Sequence, residues 1–419
     1  MTHQDPAPAA QRQPHPQRPA PKPQTRLALL GSAVLASAWL GCGKAPEAAA
    51  PATPTGAAEG AQVAPGTAPA AAPSLARKYA DLFPIGAAVN SRTLKSHADL
   101  LVQHFNSITA ENEMKFESVQ PTEGNFTYAQ ADEMVAFARQ HGMKVRGHTL
   151  VWHRQTPDWV FSNGSGGDAS KEVLLARLEK HIANVVGHFK GNVYVWDVVN
   201  EAILDDGKWR TAEEKEPEQR SKWHGILGTS YIAAAFRAAH AADPSAKLFY
   251  NEYRNYLPAK RQAVYEMLKG LLAEGVPVHG VGLQAHLASE PSTDPSHHGY
   301  HQTIAEQEKA IELYASLGLE VHITEVDMSV YVPGQKYEPS QFLTVETFTP
   351  ELEAKQAERY GPFFELFRKH GKSITSVTFW GIADDETWLS QLRSGRTDFP
   401  LLFDTKHRPK LAFERIMAF

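Results

Sequence analysis

The sequence predicts a (β/α)8 barrel, because eight short β-branched or apolar runs alternate with longer segments of helical period and nearly every run ends in polar, reactive side chains. Strictly alternating elements argue for a parallel sheet wrapped in helices, and a barrel of this kind takes about 250 or more residues as one domain. A doubly wound open sheet is the competing architecture, but no Gly-rich phosphate loop follows the first run.

Taken in order, Phe83–Asn90 closes on Asn90, and Phe105–Thr109 leads into Glu111, Asn112 and Lys115. Lys144–Val151 contains His148 and precedes Trp152 and His153, while Val193–Val199 is followed by Asn200 and Glu201. Lys247–Tyr250 leads to Asn251 and Tyr253, and Val278–Leu283 to Gln284 and His286. Glu320–Thr324 leads to Glu325 and Asp327, and Ile374–Phe379 to Trp380. Between the third and fourth runs, Leu174, Leu178, Ile182, Val185 and Phe189 share one helical face behind Ser170, an N-cap residue type. Gly142, Gly275, Gly318 and Gly371 stand where a helix end favours a left-handed residue.

The segment ahead of the barrel has a different composition. Residues 1–42 read as a signal peptide, with Arg12, Arg18, Lys22 and Arg26 before an apolar stretch, Leu27–Leu40, too short to span a bilayer comfortably. Leu40-Gly41-Cys42-Gly43 resembles a bacterial lipobox, with Trp39 where Leu is usual, so Cys42 is a lipidation candidate. That reading predicts an exported outer-membrane or cell-surface lipoprotein; cleavage near Ala38 or Gly41 would give a periplasmic or secreted soluble protein instead. Cys42 is the single cysteine, so no intrachain disulfide forms. Residues 43–74, rich in Ala, Pro, Gly and Thr, cannot bury enough surface to offset their ordering entropy and read as a disordered tether. The single catalytic domain is then expected over 75–419.

With a formal net charge of −5 and mixed signs, nothing points to a nucleic-acid or anionic-membrane footprint. The 8 Trp, 13 Tyr and 19 Phe suit a ring-stacking site, although each taken singly fits a core equally well. Barrel enzymes carry their chemistry at the C-terminal ends of the strands, so the strand-end side chains converge on one face. Three acids among amides, imidazoles and indoles match glycoside hydrolysis, which needs one protonated and one ionised carboxyl across the bond. Metal catalysis through His148, His153, His286 and His322 is the runner-up, but no His-Glu-x-x-His pair occurs and no cysteine is to hand. No metal and no cofactor are expected.

Six ordered segments carry a family resemblance: Thr109-Ala-Glu-Asn-Glu-Met-Lys115, Gly147-His-Thr-Leu-Val-Trp-His153, Trp196-Asp-Val-Val-Asn-Glu-Ala202, Gly282-Leu-Gln-Ala-His286, Ile323-Thr-Glu-Val-Asp327 and Thr378-Phe-Trp-Gly381. From about Ala76 to the C-terminus the chain resembles glycoside hydrolase family 10. The resemblance implies a (β/α)8 TIM barrel and a retaining endo-1,4-β-xylanase acting on xylan and xylo-oligosaccharides, as a monomer. It puts the acid/base on Glu201 and the nucleophile on Glu325, with Asn200 on the sugar 2-hydroxyl. Gln284 and His286 would hold the nucleophile, Asp327 would orient His286, and Asn251 and Tyr253 would support the site. Glu111, Asn112 and Lys115 would grip the next sugar with His148, Trp152 and Gln155 nearby, while Trp380 and Trp388 would exclude the hydroxymethyl arm of glucose. Retention implies carboxyls ~5–5.5 Å apart and an acid whose pKa the ionised nucleophile raises. A related enzyme of β-glucan shares this pair and is the alternative. Phe116 replaces the usual Trp, which packing should absorb, and Arg254 follows Tyr253 where a smaller or amide residue is common. The stretches 290–300 and 331–353 either shape the cleft or, more simply, are solvated loops.

Overall fold

In a computed structural model that describes residues 73–392 and 395–419, the eight runs all become strands. These are β1 (Ile85–Val89), β2 (Ser107–Ala110), β3 (Lys144–Val151), β4 (Val195–Asn200), β5 (Lys247–Glu252), β6 (Gly280–Leu283), β8 (Glu320–Ser329) and β9 (Ile374–Phe379). Neighbours pair in parallel in the order β6-β5-β4-β3-β2-β1-β9-β8, and pairing of β6 with β8 closes the circle. A short extra strand, β7 (His286–Ala288), pairs with the far half of β8 at Asp327–Ser329. Residues 1–72, with the signal segment, Cys42 and nearly all of the tether, lie outside the described residues. Ser74 is already folded: its Oγ caps the turn Leu75–Lys78 by accepting from the Arg77 amide at 3.4 Å.

The strands are buried on both faces, which is why they read as apolar runs without alternation. Two glycines make room inside. A Cβ on Gly147 would sit 2.2 Å from the Trp196 ring, and one on Gly282 would sit 2.1 Å from Oδ1 of Asn251. Between these layers Asp197 is bracketed by the Arg146 guanidinium and by Nδ1 of His148 at 2.9 Å, all three buried. Burial opposes ionisation of Asp197, but Arg146 and His148 outweigh it and hold its pKa down.

The helical face expected behind Ser170 is the helix Lys171–His188, which buries Leu174, Leu178, Ile182 and Val185; Ser170 Oγ accepts from Val173 N at 3.3 Å. Phe189 follows as the C-cap residue, also buried. Gly142, Gly275 and Gly318 take the left-handed conformation after their helices (φ 65°, 67° and 76°). Gly371 does not. A Cβ there would approach the exposed Leu82 side chain at 3.1 Å. Packing of the helices Pro350–Lys369 and Leu411–Met417 completes the ring, and Tyr79 Oη donates to the Ile416 carbonyl at 2.5 Å, joining the two ends of the folded unit. Among the described residues no helix is long and apolar enough to cross a membrane.

Candidate active site

The strand ends surround a cavity of about 850 Å3, within the range of small-ligand sites. Glu111, Asn112, Lys115, His148, Trp152, Gln155, Asn200, Glu201, Tyr253, Gln284, His286, Glu325, Asp327, Trp380 and Trp388 all line it. Asn251 does not: it is fully buried beneath the floor, where its Nδ2 donates to Glu325 Oε1 at 2.8 Å and to Asn200 Oδ1 at 3.0 Å. Thr324 donates in turn to Asn251 Oδ1 at 2.8 Å, which fixes the amide's orientation.

The end of β4 delivers Glu201 in a left-handed backbone (φ 59°), a conformation rare outside glycine. Arg210 stabilises that turn, its Nε donating to the Glu201 carbonyl at 2.9 Å and its Nη2 to Tyr253 Oη at 2.9 Å. Both carboxylate oxygens of Glu201 accept: Oε1 from Gln284 Nε2 and Oε2 from Trp152 Nε1, each at 2.9 Å. Burial favours the neutral acid, yet the surrounding charges and donors win and Glu201 lies near pKa 2. The leading charge is that of His153, which burial pushes down to about 3, so above that pH the ring is neutral and the work falls to Gln284, Arg210 and Trp152. This reverses the expectation that the ionised partner would raise the acid: two donated hydrogen bonds stabilise the carboxylate form.

Glu325 has another environment. His286 Nε2 stands 3.1 Å from Glu325 Oε2, and Nδ1 of the same ring 2.9 Å from Asp327 Oδ2. Burial works against a charged His286, but Asp327 and Glu325 overcome it and raise the ring to about 10, so an imidazolium sits between two carboxylates. Trp388 Nε1 donates to Asp327 at 2.7 Å, tying the indole to this triad. Gln284, expected beside Glu325, instead serves Glu201; only its backbone carbonyl reaches Glu325, accepting from that residue's N–H at 2.9 Å. Residues two apart on a strand share a face, but Ala285 between Gln284 and His286 is left-handed (φ 59°) and turns them apart.

At the other end of the cavity Lys115 Nζ donates to Asn112 Oδ1 at 3.1 Å and lies 4.9 Å from the centre of the Trp152 ring. Gln155 donates to the same Asn112 oxygen at 3.2 Å, and Asn90 to Glu111 at 3.0 Å. His148 and Trp380 meet edge to face at 5.4 Å. Phe116 is buried and stacks on His181 at 3.4 Å, so that exchange is absorbed in packing. His322 lies buried beside Phe249, away from the cavity, and the two ring nitrogens of His286 face different acids, so these imidazoles do not converge on a common point.

The sequence did not mark Arg210, which sits in a connection where no period or strand end singles it out. It also undervalued the two rim stretches. His297 and His298 from the first and Tyr331 to Gln335 from the second line the cavity. They interlock there: a Cβ on Gly299 would meet Pro333 at 2.5 Å, and one on Gly334 would meet His297 at 2.9 Å. Arg254, left-handed at φ 51°, lines the same side and donates to Asp205 at 2.5 Å.

Comparison with known proteins agrees with this geometry. The profile of glycosyl hydrolase family 10 matches residues 74–419. The chain is 45% identical over 348 residues to "Endo-1,4-beta-xylanase B" of Paenibacillus barcinonensis, covering 83% of this chain and 98% of that protein. It is equally 45% identical to "Endo-1,4-beta-xylanase" of Geobacillus stearothermophilus, over 82% of this chain and 98% of the relative. A crystal structure of the Paenibacillus barcinonensis xylanase with a conduramine derivative superposes with a TM-score of 0.74, covering 83% of this chain and 98% of that one.

Proposed function

The chain belongs to glycosyl hydrolase family 10, and from that membership we propose how its residues divide the work of a retaining endo-1,4-β-xylanase. It hydrolyses internal β-1,4 bonds of xylan. In our reading substrate displaces the donors that hold the Glu201 carboxylate, Glu201 takes up a proton, and Glu325 attacks the anomeric carbon as Glu201 passes that proton to the departing sugar oxygen. The glycosidic bond breaks and a glycosyl ester to Glu325 forms. Glu201, now ionised, takes a proton from water, which attacks the same carbon and releases Glu325 as a carboxylate.

The observation that carries this assignment is the contrast between the two acids. His286, held as a cation by Asp327, sits on Glu325 and puts a positive charge beside the nucleophile. Glu201 accepts hydrogen bonds only from neutral donors, Trp152 and Gln284, which can exchange partners as a proton arrives, while the Arg210 charge acts on it without a hydrogen bond to its carboxylate. Asn200, steadied by Asn251, is the proposed hydrogen-bond partner of the sugar 2-hydroxyl. Glu111, Asn112 and Lys115 are assigned to the neighbouring sugar, with Gln155 fixing Asn112. Trp380 and Trp388 narrow the cleaved-sugar site against a hydroxymethyl group.

The test compares linear xylan with carboxymethylcellulose for wild type, Glu201→Ala and Glu325→Ala. Release of short xylo-oligosaccharides, reduced by several orders of magnitude in both variants, is expected. A preference for the cellulose-type substrate would keep the mechanism and discard the substrate. A crystal structure with the two carboxyls ~9 Å apart would overturn retention, which requires ~5–5.5 Å. We also propose export with Cys42 as the lipidated residue; radiolabelled fatty acid should enter the wild type and not Cys42→Ala.

A further inference from the structure

Outside the cavity, His97, Asp385 and His407 each present one ligand atom within 4.8 Å of the others. They come from three distant places in the chain: the turn after β1, the turn after β9 and the loop before the last helix. His97 is buried at 1% side-chain exposure, whereas Asp385 and His407 keep 34% and 35%. His97 Nε2 lies 3.0 Å from Asp385 Oδ1, and His407 Nε2 lies 3.3 Å from Asp385 Oδ2. The two rings stand 4.2 Å apart.

Three observations set this cluster apart from an ordinary ion pair. Asp385 is the middle of three consecutive acids. Asp384 is matched by Lys410 at 2.8 Å and Glu386 by Arg92, while Asp385 faces only imidazoles. Second, Nδ1 of His97 lies 2.7 Å from Ser96 Oγ, which leaves Nε2 as the ring nitrogen turned toward Asp385. An outer hydroxyl or carboxyl accepting from the far nitrogen is how metal-bound histidines are usually oriented. Third, His407 reaches the cluster from a left-handed backbone (φ 63°), which a non-glycine side chain seldom adopts.

We propose that His97 Nε2, His407 Nε2 and the Asp385 carboxylate bind a divalent transition ion of the zinc type, with a fourth position open to water. Bonds of ~2.0–2.1 Å in a tetrahedron put neighbouring ligand atoms ~3.3 Å apart, close to the spacings present. Two imidazoles and one carboxylate suit zinc, nickel or cobalt rather than calcium or magnesium, which take oxygen ligands. Since residues 97 and 407 meet only in the folded chain, the ion binds the native state alone and clips the turn after β1 to the C-terminal segment. None of the three lines the cavity, so the metal is structural and hydrolysis proceeds without it.

The test uses the untagged full chain, stripped with chelator and titrated with zinc chloride by calorimetry, then melted with and without zinc. One equivalent should bind with micromolar affinity or better and raise Tm by several degrees. Asp385→Asn and His407→Asn, the latter compatible with the left-handed backbone, should weaken binding by ~10-fold or more and erase the rise in Tm. Both should hydrolyse xylan at the wild-type rate without metal. Cobalt in place of zinc should give the visible band of a tetrahedral ion in wild type only. Absence of saturable binding overturns the proposal, as does binding that both variants retain. Variants that lose the same stability with and without zinc would make the cluster a proton-bridged ion pair, and the metal reading fails.

Discussion

Trp152 and Gln284 each donate to a different oxygen of Glu201, and Asp327 and Glu325 each face a different nitrogen of His286. These four contacts set the pH behaviour. Removing a donor in Trp152→Phe or Gln284→Met destabilises the Glu201 carboxylate and raises its pKa, so the acid keeps its proton to higher pH. The basic limb of kcat/KM should move up by about one unit, and an unmoved limb would show that these donors do not set the proton affinity. For His286 the sign runs the other way along the pH scale. Its folded pKa near 10 exceeds the unfolded value of about 6.5, so its stabilisation is complete below pH 6.5 and is lost as pH rises through 10. Denaturant titrations should therefore find the gap between wild type and His286→Asn widest near and below pH 6.5 and shrinking as pH rises toward 10. The same variant should lose roughly 10²–10⁴-fold in kcat, since Glu325 is left without its cation.

At the scale of the element, β6 shows why strand ends were legible and their partners were not. The apolar run stops where the polar residues begin, so Gln284 and His286 could be placed at the mouth from the pattern alone. Which carboxylate each one meets depends on the left-handed Ala285, and an alanine carries no sign of its φ in the sequence. For the same reason β7 went unforeseen, because three residues are too few for a period. The rim stretches 290–300 and 331–353 read as solvent loops because their packing is against each other, a tertiary fact no local pattern encodes. Gly282 makes the converse point: its role is to leave space for Asn251. Gly282→Ala should push Asn251 away from Glu325 and cost about 10²-fold in kcat with a smaller effect on KM, a split that steady-state kinetics on xylan would reveal.

For the whole molecule, the barrel was legible because eight runs and their intervening helical faces agree with one architecture. The charged layer inside it was not. Arg146, Asp197 and His148 sit in runs that otherwise read as buried strand, and only the pairing of β3 with β4 brings them together. Asp197→Ala leaves a buried guanidinium without its partner and should cost ~3–5 kcal/mol in urea unfolding. If the cost is below ~1 kcal/mol, water must reach Arg146. The hydrogen bond from Tyr79 to Ile416 has a further bearing. Tyr79 precedes the first strand, so it lies at the end of the barrel where strands begin, and Ile416 comes down to meet it. Both extremities of the folded unit thus emerge on the side away from the cleft. Beads, surfaces or fusion partners coupled at either extremity will present the mouth outward to an insoluble polymer, and orientation on a support comes without engineering.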